Sequence, residues 1–368
     1  MERSPPSVRR PPLALIGTLT WALVLALAHP TQAQISAPFP SPAPRVAEQP
    51  FVPVGEMEDF ASIGRPPEWS QSPELPAFMS SDPTQSFLNV AHASLFGDAH
   101  SEAAKADWRP LSLDTFFTDG WREPYIDPPA GSGGARRSGW VNSFEGTFFR
   151  AWFLSFASAN DLNRNGNQYL GGYTIYTPLN RRCELRVDVP FVASNKGGAN
   201  DTYHDRFGDL VISPRFLLSA TRDFSQIFAL NVRTPTGSYV NGNGVDSLSP
   251  QYQFWYNLYG NWAVRGGTGV TVPTSGAGGG ASYFANLGFG RYWEGADAAV
   301  LRHQWLTLVA NLSTPLSGTA PGPTYLSLTP GYRVQIHEGW FFLAGLEVPL
   351  TSHSPFAIQP IFLLLKDY

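Results

Sequence analysis

Glu184-Leu185-Arg186-Val187-Asp188-Val189-Pro190-Phe191 alternates between apolar and charged residues until its proline. In an extended strand successive side chains point to opposite faces, so Leu185, Val187, Val189 and Phe191 share one face and Glu184, Arg186 and Asp188 the other. The pattern recurs downstream. Residues 249–258 set Tyr252, Phe254, Tyr256 and Leu258 against Ser249, Gln251, Gln253 and Asn257; residues 324–335 set Leu326, Leu328, Tyr332 and Val334 against Ser327, Thr329, Arg333 and Gln335. Each segment therefore has one apolar and one wet face.

The Val-Pro that closes the first segment is repeated as Val-Pro or Thr-Pro at Pro235, Pro273, Pro315 and Pro349, spaced 34 to 45 residues apart. That period holds two strands of roughly eleven residues, a longer loop and a tight turn, the unit of an up-and-down antiparallel barrel. About twelve strands follow, over 146–157, 167–177, 183–192, 208–218, 225–235, 248–258, 262–272, 281–292, 303–315, 323–335, 340–350 and 356–366. The terminal prolines fall where a ladder ends and a missing N–H is tolerated. Pro214, Pro250, Pro330 and Pro360 lie inside strands, where bulges are expected.

A soluble sandwich would also alternate, but its polar faces would be rich in lysine. Here Lys196 and Lys366 are the only lysines after Ser143, and charged residues make up 15% of the chain, against about 25% in soluble domains. The polar faces carry Gly, Ser, Thr, Asn, Gln and mixed charges, which suits a confined aqueous lumen. Aromatics near segment ends (Tyr173, Tyr176, Trp255, Tyr256, Trp262, Tyr292, Trp293, Trp305, Trp340) resemble the interfacial girdles of a membrane barrel. The expected fold is all-β: a transmembrane antiparallel barrel over residues 141–368, its apolar faces against outer-membrane lipid. Glu184, Arg186, Asp188, Asp209, Arg215, Arg233, Arg265, Arg333 and Glu347 are then the lumen-lining candidates, because an outward arginine near the membrane midplane costs about 2–4 kcal/mol. They either select solutes or pair with one another to fill the barrel.

The N-terminus reads as an export signal. Arg3, Arg9 and Arg10 precede an apolar run over 13–28, and Thr31-Gln32-Ala33 offers small residues for cleavage after Ala33. Residues 34–140 form a Pro-rich extension, disordered at first and expected in the periplasm. Within it Ser101 can cap a short helix, and residues 111–125, with Phe116, Phe117, Trp121 and Tyr125, are aromatic enough to dock on the barrel or plug it. The glycine-rich stretch 131–139 lacks the Gly-Lys-Ser/Thr ending of a phosphate loop and reads as a linker. Longer connections after odd-numbered strands, such as 193–207 and 236–247, put both chain ends on the side of the tight turns, the periplasmic side of an exported barrel.

Arg206-Phe207-Gly208-Asp209-Leu210 with Ser213-Pro214-Arg215-Phe216, and Arg233-Thr234-Pro235-Thr236-Gly237 leading into Asn241-Gly242-Asn243-Gly244, resemble the MetA-pathway phenol-degradation family of exported outer-membrane barrels. The resemblance covers roughly residues 140–368. It implies passage of phenolic or other hydrophobic small molecules and carries no catalytic residue. It also implies insertion by the barrel-assembly machinery, although Leu363-Leu364-Leu365 departs from the usual alternating ending; Tyr368 keeps the terminal aromatic.

Other chemistry is poorly supported. Asp161-Leu162-Asn163-Arg164-Asn165-Gly166 matches half of a calcium loop, but its twelfth position is Gly172 and no helix flanks it. The single Cys183 excludes a cysteine metal cluster, no metal or other cofactor is expected, and a net charge of −4 gives no reason to expect nucleic acid. The one His-x-Ser, His92-Ala93-Ser94, precedes the barrel, and there is no Gly-x-Ser-x-Gly. The reading is a non-enzymatic channel or transporter for small molecules. A structural or adhesive barrel without an open pore is the alternative, and a membrane-barrel hydrolase ranks lowest.

Overall fold

The computed structural model describes residues 86–132, 134–137, 139–160, 168–195, 203–237, 245–258, 260–274, 280–294, 301–317, 323–352 and 354–368; of Glu102 and residues 192–195 and 203–206 only the backbone is considered. The expected export signal, the extension up to residue 85, the half calcium loop and Asn241-Gly242-Asn243-Gly244 lie outside the described residues.

Among the described residues thirteen strands form one antiparallel sheet: β1 (Ala151–Ala159), β2 (Gln168–Pro178), β3 (Cys183–Asn195), β4 (Tyr203–Phe207), β5 (Val211–Ala220), β6 (Phe224–Arg233), β7 (Ser247–Asn257), β8 (Trp262–Pro273), β9 (Ser282–Trp293), β10 (Arg302–Pro315), β11 (Tyr325–His337), β12 (Trp340–Pro349) and β13 (Gln359–Asp367). Sequential neighbours pair except β4 and β5, β1 pairs with β13, and β2–β3 completes the ring. Both β4 and β5 lie against β3, along 191–195 and 183–188. They are thus one stave broken at 208–210, and the barrel has twelve staves, closed, as the sequence period requires. Closure removes the sheet edges that a twelve-stranded sheet would otherwise expose.

Pro214, Pro250, Pro330 and Pro360 are not bulges. Pairing steps from Ile212↔Val232 to Arg215↔Ala229, from Leu248↔Val272 to Gln251↔Gly269, and from Leu328↔Val348 to Gly331↔Gly345. Each step advances three residues on both strands, so the missing N–H opens a gap in one ladder without inserting a residue. The register shifts that do occur lie between Leu217 and Ser219, Arg302 and Trp305, and Gln335 and His337, all toward the tight-turn end.

The two faces separate as the alternation predicts. Leu154, Phe156, Tyr252, Leu287, Phe289, Leu306 and Leu308 are exposed on the outer wall, while Phe153, Ala157, Ser213, Arg215, Gln253, Arg265 and Thr307 are buried inside. The girdle assignment needs correction. Trp152 packs on Trp340 and Tyr173, and Trp262 on Phe289, on the outer face. Tyr176, Trp255, Tyr292 and Trp305 have the opposite parity, point inward and are buried.

Before the barrel, α1 (Phe87–Phe96) is capped by Ser86, and α2 (Glu102–Ala106) by Ser101. Arg150, the residue before β1, donates to the carbonyls of Ser94, Leu95 and Gly97 at 2.9–3.1 Å, placing a cation at the C-terminal end of α1. Residues 97–131 then run across the tight-turn end as a strap. Leu111 bridges to Ala220, Arg181 N–H donates to Glu123 O, and Ser132 N–H donates to Asp223 Oδ1.

Candidate functional site: the occluded lumen

The interior is not empty. The described residues within 135–149 enter from the tight-turn end, turn at 141–142, and return to start β1. Trp140 packs on Trp305 at 5.1 Å, and Phe144 on Phe284 at 5.8 Å. Asn142, at φ 54°, donates from Nδ2 to Thr329 Oγ1 at 2.9 Å. Gly146 O accepts from Ser225 Oγ at 2.6 Å, and Phe149 N–H donates to Glu184 Oε1 at 2.9 Å. A backbone that donates and accepts across the lumen cannot also join the wall ladder, which is why β1 begins at Ala151 and not at 146. Residues 111–125 lie on the rim; the plug is the stretch after them, including what reads in the sequence as a glycine linker.

The wall is shaped for this plug. A Cβ on Gly290 would lie 2.5 Å from the Trp140 ring, one on Gly267 2.5 Å from Phe144, and one on Gly345 2.7 Å from Val141. Real Cβ atoms do not approach so closely. Glycine inside a strand weakens it unless another group needs the space, and here the plug's large side chains occupy it.

Charge fixes the same segment. Glu145, 6% exposed, is ion-paired with Arg265, which is fully buried and lies 4.7 Å from the Trp140 ring centroid. Arg215 pairs with Glu184 and also donates to the carbonyls of Glu145 and Thr147 and to Gln253 Oε1. Two wall arginines and a wall glutamate thus hold one plug residue and its neighbours' backbone. Isolated buried charges would be costly, and pairing offsets that cost: Arg215 adds three further hydrogen bonds to its ion pair, whereas Arg265 rests on Glu145 and the Trp140 ring.

The other sequence candidates divide into three groups. Arg186 and Asp188 pair with each other at 2.8 Å, with Thr174 Oγ1 donating to Asp188 at 2.6 Å. Glu347 accepts from Tyr325 at 3.0 Å and Ser327 at 2.6 Å, and Arg233 faces inward at the far end of β6. These line the lumen on the long-loop side of the plug. Arg333 is buried against the Phe341 ring at 4.2 Å, beside the point where the plug passes Gly139. Asp209 lies in the break between β4 and β5, where its Oδ1 accepts from Gly237 N–H at 3.1 Å and pins the rim loop. Glu145, Trp140, Val141 and Phe144 are absent from the sequence candidates. The signal that points to them is the inward glycines Gly267, Gly288, Gly290, Gly331 and Gly345, which mark a close approach from inside.

Below the plug, a cavity of about 600 Å³ opens between strap and barrel, lined among others by His100, Arg136, Arg137, Arg150, Glu294 and Asp367. His100 Nδ1 lies 3.6 Å from Asp127 Oδ2, and its Nε2 is 3.1 Å from the main-chain oxygen of Tyr368. The bond to Asp127 raises the imidazole pKa above its usual 6.5, against desolvation and the Arg150 charge. A raised folded-state pKa contributes stability that is complete below about 6.5 and is lost as pH rises through the folded value. The strap is therefore expected to resist limited proteolysis better at pH 5.5 than at pH 8.5, and His100→Gln to abolish that difference. Equal protection of the parent protein at both pH values would contradict this.

No curated protein sequence matches the chain. A crystal structure of an outer membrane channel from Pseudomonas putida F1 aligns with a TM-score of 0.48 and 12% identity, over 63% of this chain and 99% of that one. Residues 129–297, which take in the plug and β1 to β9, match the model of the family described as "Putative MetA-pathway of phenol degradation", and both the Arg-Phe-Gly-Asp-Leu and the Arg-Thr-Pro-Thr-Gly motifs lie within the matched span.

Proposed function

We propose that this protein is an outer-membrane channel for small molecules whose passage is controlled by its own residues 135–149. One observation carries the reading: a closed barrel with an apolar outer wall and a polar, charged inner wall, spanned inside by a segment that belongs to no strand. A closed barrel pairs every backbone group and is the strand-built solution for crossing a bilayer. The Ser, Thr, Asn and Gln of the inner wall offer hydrogen bonds to a solute. Solutes are small, and the family match favours hydrophobic or aromatic ones. On this reading the chain ends lie in the periplasm, which the apolar run over 13–28 and the tight turns at the end where the strap lies both support.

The membrane reading makes a prediction of its own. Phe289 lies in the middle of β9, 47% exposed on the outer wall. Phe289→Arg is expected to cost about 2–4 kcal/mol of folding stability in bilayers, measured by urea titration of vesicle-inserted protein. A change below about 0.5 kcal/mol, ordinary for a surface substitution in water, would remove the outer wall from lipid.

The function is tested by planar-bilayer recording of the purified, refolded protein, paired with swelling of loaded liposomes in a series of small solutes. Discrete conducting steps and solute entry are the expected result. The packing of Trp140, Val141 and Phe144 across the lumen favours a second reading, a structural or adhesive barrel that never opens; inserted protein silent in both assays, even with the plug displaced, would select it.

A further inference from the structure

We propose that residues 111–121 are a lipid anchor, a collar at the tight-turn end that inserts Leu113 and Phe117 into the membrane interface beside β5. The proposal rests on the reading that the apolar outer wall faces lipid.

The collar's backbone is held firmly. β3 starts at Cys183, opposite Phe216, and Arg182 O still accepts from Leu217 N–H; beyond Leu217 β3 offers β5 no further partner strand, and Leu111 takes that edge through paired bonds of 2.8 and 2.9 Å with Ala220. The Arg182 guanidinium then collects the carbonyls of Ser112, Thr115 and Asp119 at 2.8–3.1 Å. Its charged face also lies 5.4 Å from the Phe116 ring centroid. A loop so tied has no need of exposed aromatics for its own folding.

Yet its side chains turn outward. Phe117 is 88% exposed and Leu113 52%. Phe117 packs edge-on against Phe116, Phe116 against Trp121, and Trp121 against Phe216, with ring centroids 5.0, 5.5 and 6.3 Å apart. Phe216 alternates with the inward Arg215 and Leu217 and so belongs to the outer wall. The aromatic chain is thus continuous with the lipid-facing surface and extends it past the last ladder bond. Trp121 donates its indole N–H to Phe116 O, leaving its ring apolar. Aromatic residues with a satisfied polar end are suited to the headgroup region.

The test uses full-length protein in a Cys183→Ser background, with a single cysteine carrying an environment-sensitive fluorophore, in phosphatidylethanolamine–phosphatidylglycerol vesicles with and without brominated acyl chains. The sites are Phe117→Cys, Phe289→Cys as the outer-wall reference and Asp114→Cys as the exposed polar reference. The proposal predicts blue-shifted emission at 117, quenched by brominated lipid to an extent comparable with 289, while 114 is unquenched. A 117 label that emits as the 114 label does, with 289 quenched, overturns the collar and leaves the membrane reading standing. An unquenched 289 label overturns both. A blue shift at 117 that brominated lipid does not quench, and that grows with protein-to-lipid ratio, overturns the lipid anchor in favour of contact between copies.

Discussion

Glu145→Ala is expected to release the plug and raise open-channel occupancy more than any other single truncation in the lumen. Removing the carboxylate leaves Arg265 fully buried and without its ion-pair partner, a loss of about 3–5 kcal/mol where one member of a buried pair is deleted. Arg215 keeps Glu184, so the wall retains its own pair. The lost energy falls on plug docking because Glu145 makes no ladder bond, and the twelve staves close without it. Glu145→Gln, which keeps an acceptor, should lose less. The readouts are single-channel recording and trypsin cleavage after Arg136 or Arg137, both of which should increase. Unchanged conductance and unchanged protection in the alanine variant would mean that the Glu145–Arg265 pair does not hold the plug.

Gly290→Leu should act from the wall side. Its Cβ alone would meet Trp140 at 2.5 Å and Trp305 at 3.0 Å, and a branched side chain adds three further carbons in the same direction. Overpacking of this kind costs about 1–3 kcal/mol, and the part with least attachment gives way. Gly290 is paired on both sides, with Ala263 and Thr307, whereas Trp140 belongs to a segment tied by scattered hydrogen bonds. The variant should therefore conduct while migrating as a folded, heat-modifiable barrel. Adding Trp140→Gly should restore the wall fit and leave the remaining plug in place, so the double variant should be less open than Gly290→Leu alone. If the double variant is at least as open, Trp140 is not what the leucine displaces.

The barrel was legible because alternation is a local signal. The strict period in residues 184–189 sets which side chain faces which way whatever the remote partner, and the Val-Pro and Thr-Pro ends mark the hairpin period. The inward placement of Glu184, Arg215, Arg265 and Arg333 follows from the same parity with the cost of charge in lipid. The in-strand prolines were misread because an absent N–H can be absorbed as a gap in one ladder, and sequence does not distinguish that from an inserted residue. The girdle list failed for Tyr176, Trp255, Tyr292 and Trp305 because it counted aromatics near strand ends without checking their parity.

The plug was hidden for a different reason. Residues 139–149 have no period, since each is specified by a remote wall group: Trp140 by Gly288 and Gly290, Val141 by Gly345, Glu145 by Arg265. A glycine-rich approach and an aromatic turn resemble a linker until the inward glycines of the wall are counted as a matching surface. Asp209 shows the converse, since parity does not carry across the break between β4 and β5, where its carboxylate accepts from Gly237 N–H.

The most direct test of the central claim is reversible locking of the plug. Asn142→Cys and Thr329→Cys, in a Cys183→Ser background, replace two side chains that already touch at 2.9 Å and can be joined by a short bis-methanethiosulfonate bridge. In planar bilayers the bridged protein should be silent, and reductant added to the same membrane should bring discrete conducting steps. Equal conductance before and after reduction would contradict the account, because solutes would then pass a plug that had not moved.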